Sequence, residues 1–170
     1  MKIRVGAKIG TINRSFIAGP GADMEHLHQM PHTAQRQLIV DFYKAVAAHD
    51  IEQLRAVVAG DWQYIPAISD GQSGPDQMIP AFRNLAIGLP DMKIDLLDVL
   101  VSDDRVAVRA SVSGTQTGPI MGVAATSKPV SFAIHAFHEV KNGKITRTWH
   151  LEDWLSMFRQ IGELPTDLSH

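Results

Sequence analysis

Three regimes of polar and apolar alternation follow one another along the chain. From Thr33, a plausible N-cap, the residues Leu38, Ile39, Phe42, Tyr43 and Val46 recur at helical spacing. Asp50 caps a second short helix, with Gln53 at the capping-box position and Leu54, Val57 and Val58 as its buried stripe, and Gly60 ends it. Trp62 and Tyr64 alternate as a short strand before the turn-rich run from Ser69 to Gly74. Pro75 opens a third helix carrying Met78, Ile79, Phe82, Leu85 and Leu89, and Pro80 bends it or delays its start.

After Pro90 the period drops to two. Met92, Ile94 and Leu96 alternate, and Val99 and Val101 resume out of phase, which predicts a bulge near Leu97. Val106, Val108, Ala110 and Val112 form the next strand, and the glycines between Gly114 and Thr126 predict a loop. Val130 to Val140 and Ile145 to Asp153 read as a hairpin turning at Asn142-Gly143, followed by a short helix with Leu155, Phe158 and Ile161. Helices first and a strand meander afterwards predict an α+β fold: a curved antiparallel sheet, cone-shaped, packed against three N-terminal helices with a short C-terminal helix. The domain spans residues 32–165, preceded by an extension over 1–31 with no sustained period and followed by a tail, 166–170. A curved sheet covered by helices leaves a funnel, a natural place for an internal small-molecule pocket.

Composition narrows the function. The chain has 170 residues, net charge −2 and no Lys/Arg-rich run, which argues against nucleic acid or an anionic membrane as partner. No apolar stretch approaches the roughly 20 residues that span a bilayer. With no cysteine there is no disulfide, thiolate nucleophile or Cys-based zinc site, and the composition suits a cytoplasmic location. Lys8 and Arg14 interrupt the apolar N-terminal segment, so no signal peptide is expected.

Five segments then carry a resemblance. They are Asp41-Phe42-Tyr43 through Asp61-Trp62; Gly114-Thr115-Gln116-Thr117-Gly118 with Met121-Gly122-Val123; Lys128-Pro129-Val130-Ser131-Phe132; the turn from Val140 to Ile145; and Trp149 to Asp153 with Phe158 to Gly162. In this order they resemble the SnoaL-like polyketide and ester cyclases. The resemblance implies the nuclear-transport-factor-two-like cone, a homodimer formed through the sheets, and aldol-type ring closure without metal or cofactor. It also implies a small apolar or aromatic carbonyl ligand. The family's acid/base aspartate falls on His150 here, and the matching pocket positions are Ile134, Ala136 and Tyr64.

Imidazole takes and returns a proton near neutral pH, so His150 suits the same task; its bland reading is a strand histidine bonded to a neighbour. Strand alternation puts Glu152 on the face of His150 and Asp153 on the other, where capping the last helix is its expected role. Which histidine joins His150 depends on the turn. A two-residue Asn142-Gly143 turn sets His135 opposite it; a glycine-bulged loop instead puts His138, Ala136 and Ile134 on its face, as the resemblance favours. His138 and Tyr64 are therefore grouped with His150 as catalytic candidates. Trp62, Tyr43, Phe82, Thr148, Glu152, Ile134 and Ala136 are the substrate-binding set, although aromatics at these spacings are more often core. No metal site is expected, for the histidines lack ligand spacing. The alternative reading is a non-catalytic small-molecule-binding or dimerisation module on the same fold.

Overall fold

The computed structural model describes residues 32–68 and 72–163; the N-terminal extension with His26 and His28, the turn residues Ser69 to Gly71 and the tail lie outside them. Two helices come first, α1 (His32–Ala47) and α2 (Ile51–Val57). Thr33 lies inside α1 rather than capping it. Asp50 does cap α2, accepting from the backbone N–H groups of Glu52 and Gln53. The Gln53 side chain donates to the Asp50 carboxylate at 2.8 Å instead of accepting from the cap's backbone.

Gly60 does not end this helix. The chain becomes extended at Val58 and continues as β1 (Val58–Ile65), because Val58 is already in register with Ile145. Pro75–Met78 forms a 3-10 turn, and α3 (Ile79–Gly88) starts only after it, with Pro80 in its first turn where its missing N–H costs nothing. Four strands follow: β2 (Lys93–Ser102), β3 (Arg105–Gln116), β4 (Lys128–Lys141) and β5 (Lys144–Glu152), then α4 (Trp154–Ile161). Asp153 caps α4 through the Ser156 N–H at 3.0 Å. The segment 114–116 belongs to β3, not to a loop. The Asp91 carboxylate accepts from the Thr115 N–H and hydroxyl and holds it against the start of β2.

The five strands form one sheet in the order β1-β5-β4-β3-β2. The β2–β5 meander is antiparallel, whereas β1 adds to the far edge parallel to β5, so the sheet is mixed. The expected bulge sits at Leu97, between the pairs Leu96↔Ala110 and Asp98↔Arg109. Even-numbered residues of β3 and β4 (Val106, Val108 and Ala110; Ile134, Ala136 and His138) are buried on the face that carries α1–α3. Ile39, Phe42, Leu54 and Phe82 close the core from the other side.

The β4–β5 hairpin combines the two expected geometries. Asn142 and Gly143 both have positive φ, as a two-residue primed turn requires, and Lys141 pairs with Lys144. Thr146 is then an extra residue on β5, since Val140 pairs with Ile145 but Glu139 pairs with Arg147. That bulge restores the face of the bulged loop with the turn of the tight one. His138 comes to lie opposite Thr148, and Ala136 opposite His150. His135 pairs with Leu151 and is exposed on the outer face.

Candidate functional site

Residues Thr148, His150 and Glu152 project inward from β5, Ala136 and His138 from β4, Trp62 and Tyr64 from β1, and Tyr43 descends from α1. The parallel β1–β5 pairing sets Tyr64 beside Thr148. The Tyr64 and His150 rings lie 5.2 Å apart, tilted by 37°. His150 has a side chain only 8% exposed, and its Nε2 is 3.2 Å from Glu152 Oε1. A carboxylate oxygen only accepts, so the group it can hold here is an Nε2–H. Nδ1 is buried and has no protein partner.

A second polar group lies deeper. His138 is fully buried, with Nδ1 3.1 Å from the Thr148 hydroxyl and Nε2 3.3 Å from the Tyr43 hydroxyl. Trp62 Nε1 donates to the same Thr148 oxygen at 3.0 Å. The Phe42 ring packs edge-on against His138 at 5.1 Å. Burial, and next the charge of the neighbouring His150, hold His138 down to about 3, so it is a neutral ring near pH 7. Burial first and the Glu152 carboxylate second push both tyrosine hydroxyls up, which keeps Tyr43 and Tyr64 as protonated donors.

The predicted residues are thus brought together unevenly. His150, Glu152, Tyr64, His138, Thr148, Trp62 and Tyr43 form one connected polar and aromatic group, with Ile134 and Ala136 as its apolar floor on β4. Phe82 stands apart, its ring contact being with His49 at 6.1 Å. Sequence reasoning missed the contact between Tyr43 and His138, which are 95 residues apart, and the role of Thr148 as the link between two rings. Among the described residues no cluster of three or more potential metal ligands occurs. A groove of about 350 Å³ exists on the opposite, outer face of the sheet, bordered by Leu97, Ser131, His135, Asp153 and Gln160. It does not contain His150. Asp153 and Gln160 are also already used there, as a helix cap and a clamp on the Ser131 backbone.

The fold has counterparts among solved structures. TsrD from Streptomyces laurentii is 25% identical over 79% of this chain and 99% of its own, with a TM-score of 0.72. A candidate polyketide cyclase from Bacillus cereus is 26% identical over 76% of this chain and 81% of its own, with a TM-score of 0.66. A SnoaL-like polyketide cyclase from Agrobacterium tumefaciens, 18% identical, covers 75% of this chain and 97% of its own at a TM-score of 0.62 and shares the fold. Among curated proteins no sequence match is found. The family model described as SnoaL-like polyketide cyclase matches residues 37–161, most of the chain and every element from α1 to α4. The chain belongs to the SnoaL-like polyketide cyclase family.

Proposed function

We propose that this protein binds a small, largely apolar carbonyl compound in the interior of its cone and performs cofactor-independent acid/base chemistry on it, aldol-type cyclisation being the closest class. The observation that carries this reading is the buried, unpartnered Nδ1 of His150, whose other nitrogen is oriented by Glu152. A base held by a carboxylate on its far side is the arrangement that general-base catalysis needs. In the proposed reaction Nδ1 takes a proton from the carbon next to a ligand carbonyl, and the C–H electron pair becomes an enolate. The enolate carbon attacks a second carbonyl of the same molecule, forming the ring bond. The resulting alkoxide recovers the proton from Nδ1–H, so His150 ends as it began. The Tyr64 hydroxyl, beside the imidazole, supports an oxygen of the ligand. Trp62 and Tyr43 supply flat aromatic surface.

The test uses a ketone whose α-hydrogens exchange slowly by themselves, such as 2-acetylnaphthalene in D2O, followed by NMR. The expected result is protein-dependent deuterium incorporation that is lost in His150→Ala while the melting temperature is kept. Ketone binding without exchange at any protein concentration would instead support the second reading, a non-catalytic binding module; the apolar Ile134 and Ala136 favour it by offering few polar anchors. Self-association through the outer sheet face is part of the proposal. Phe137 and Leu151 are 59% and 71% exposed there, a pattern suited to a partner surface. A cytoplasmic location remains the proposal that fits a chain without cysteine.

A further inference from the structure

The hydrogen-bond chain from Trp62 to Tyr43 has a direction that can be worked out from its donors. An indole N–H only donates, so Thr148 Oγ1 accepts from Trp62. Thr148 then has one proton to give, and His138 Nδ1 is 3.1 Å away. If Nδ1 accepts, the neutral ring carries its proton on Nε2 and donates it to the Tyr43 oxygen. The surplus proton of the chain is then the phenolic proton of Tyr43. In the reverse order Tyr43 donates to Nε2, and Nδ1–H donates to a Thr148 oxygen that already accepts from Trp62. The surplus proton would then sit on Thr148, which is fully buried and has no further partner among the described residues. Tyr43 is buried too, at 2% exposed, so in the unliganded protein either order leaves one buried donor unmet, at about 1–3 kcal/mol. Only the forward order sends that proton to the side where Glu152, whose charge reaches both tyrosines, lies with Tyr64, so that a ligand oxygen bound there meets it.

We infer that Tyr43 is the hydrogen-bond donor for a carbonyl or enolate oxygen of the ligand, and that His138, fixed by Thr148 and Trp62, is a positioning residue that aims this proton into the site. Such a donor is set before the ligand arrives and meets the oxygen on which negative charge develops. The inference rests on the reading of the cone interior as the ligand site, and it moves His138 from proton transfer to orientation.

The deciding experiment is a long-range proton–nitrogen NMR spectrum of protein carrying 15N-histidine at pH 7, with His138→Gln identifying the His138 signals. The expected result is the Nε2–H tautomer, kept in Thr148→Ser and lost or mixed with the other form in Thr148→Val. An Nδ1–H tautomer in the unaltered protein overturns the proposal, because the Tyr43 proton would then be committed to His138. A second arm uses Tyr43→Phe with 2-acetylnaphthalene. Exchange should slow by roughly a hundredfold in kcat, with KM within about twofold. An unchanged kcat overturns the assignment of Tyr43. Absence of exchange in the unaltered protein counts against His150 as base, and the tautomer then decides the Tyr43 assignment by itself.

Discussion

β4 and β5 present two different chemistries from the same stretch of chain. Inward lie Ile134, Ala136 and His138 facing Glu152, His150 and Thr148; of these His138 and Thr148 are closed off from water and joined by a bond between neutral groups. Outward lie His135, Phe137 and Glu139 facing Arg147, Trp149 and Leu151. There the Glu139 carboxylate is ringed by Lys141, by Arg105 at 2.8 Å and by Arg147 at 3.7 Å, and the two arginines flank Trp149 at 5.3 and 5.4 Å. The hydrogen bond from Lys141, and then the arginine charges, hold the Glu139 carboxyl below its ordinary range. One face uses desolvation to keep a histidine uncharged; the other uses opposite charges to keep a carboxylate charged. The difference teaches that a polar side chain in a sheet acquires its chemistry from the parity of its position more than from its identity.

The comparison can be broken first at Trp62, which is fully buried and contributes both packing and the first hydrogen bond of the inner chain. Trp62→Ala should cost about 3–5 kcal/mol in urea unfolding. The next effect is on pH. In the unfolded chain His138 takes up a proton below about pH 6.5, whereas the folded protein resists until about 3. The stability it contributes is therefore complete above pH 6.5 and is lost as the pH falls, by about 3 kcal/mol at pH 4. Urea titrations at a series of pH values should show this loss, and His138→Gln should show a shallower acid slope. If the two slopes coincide, the inner face does not keep His138 neutral.

The outer face should respond more weakly. Glu139→Gln removes one member of a group whose arginines are 47% and 39% exposed, and should cost about 1 kcal/mol or less, with most of that difference gone at high salt. Phe137→Ser should change the stability of the isolated chain by no more than about 0.5 kcal/mol. A larger, concentration-dependent effect in sedimentation or thermal melts would show that a second copy covers this face.

Much of the architecture could be read from local pattern. The Leu97 bulge follows from the phase change between Leu96 and Val99, and the Asp50 and Asp153 caps from their place before apolar periodic runs. The hairpin was legible only to its turn. Nothing in the sequence marks Thr146 as the unpaired residue, yet that one residue decides whether His135 or His138 shares a face with His150. The parallel docking of β1 was equally hidden, since it depends on which edge of the meander stays open. So was the bond between Tyr43 and His138, because pairings across such distances leave no periodic trace.

That docking has a consequence for the order of folding. Neighbouring strands can zip the β2–β5 meander through local connections, the longest being 117–127, whereas Trp62 reaches Thr148 only across 86 residues and Tyr43 reaches His138 across 95. Closing such loops is entropically slow. The meander is therefore expected to fold before β1 and α1 arrive, with both inner histidines still wet. The two tyrosines then complete the interior in the final step, so the proposed ketone exchange should lag behind the growth of strand signal in a refolding experiment.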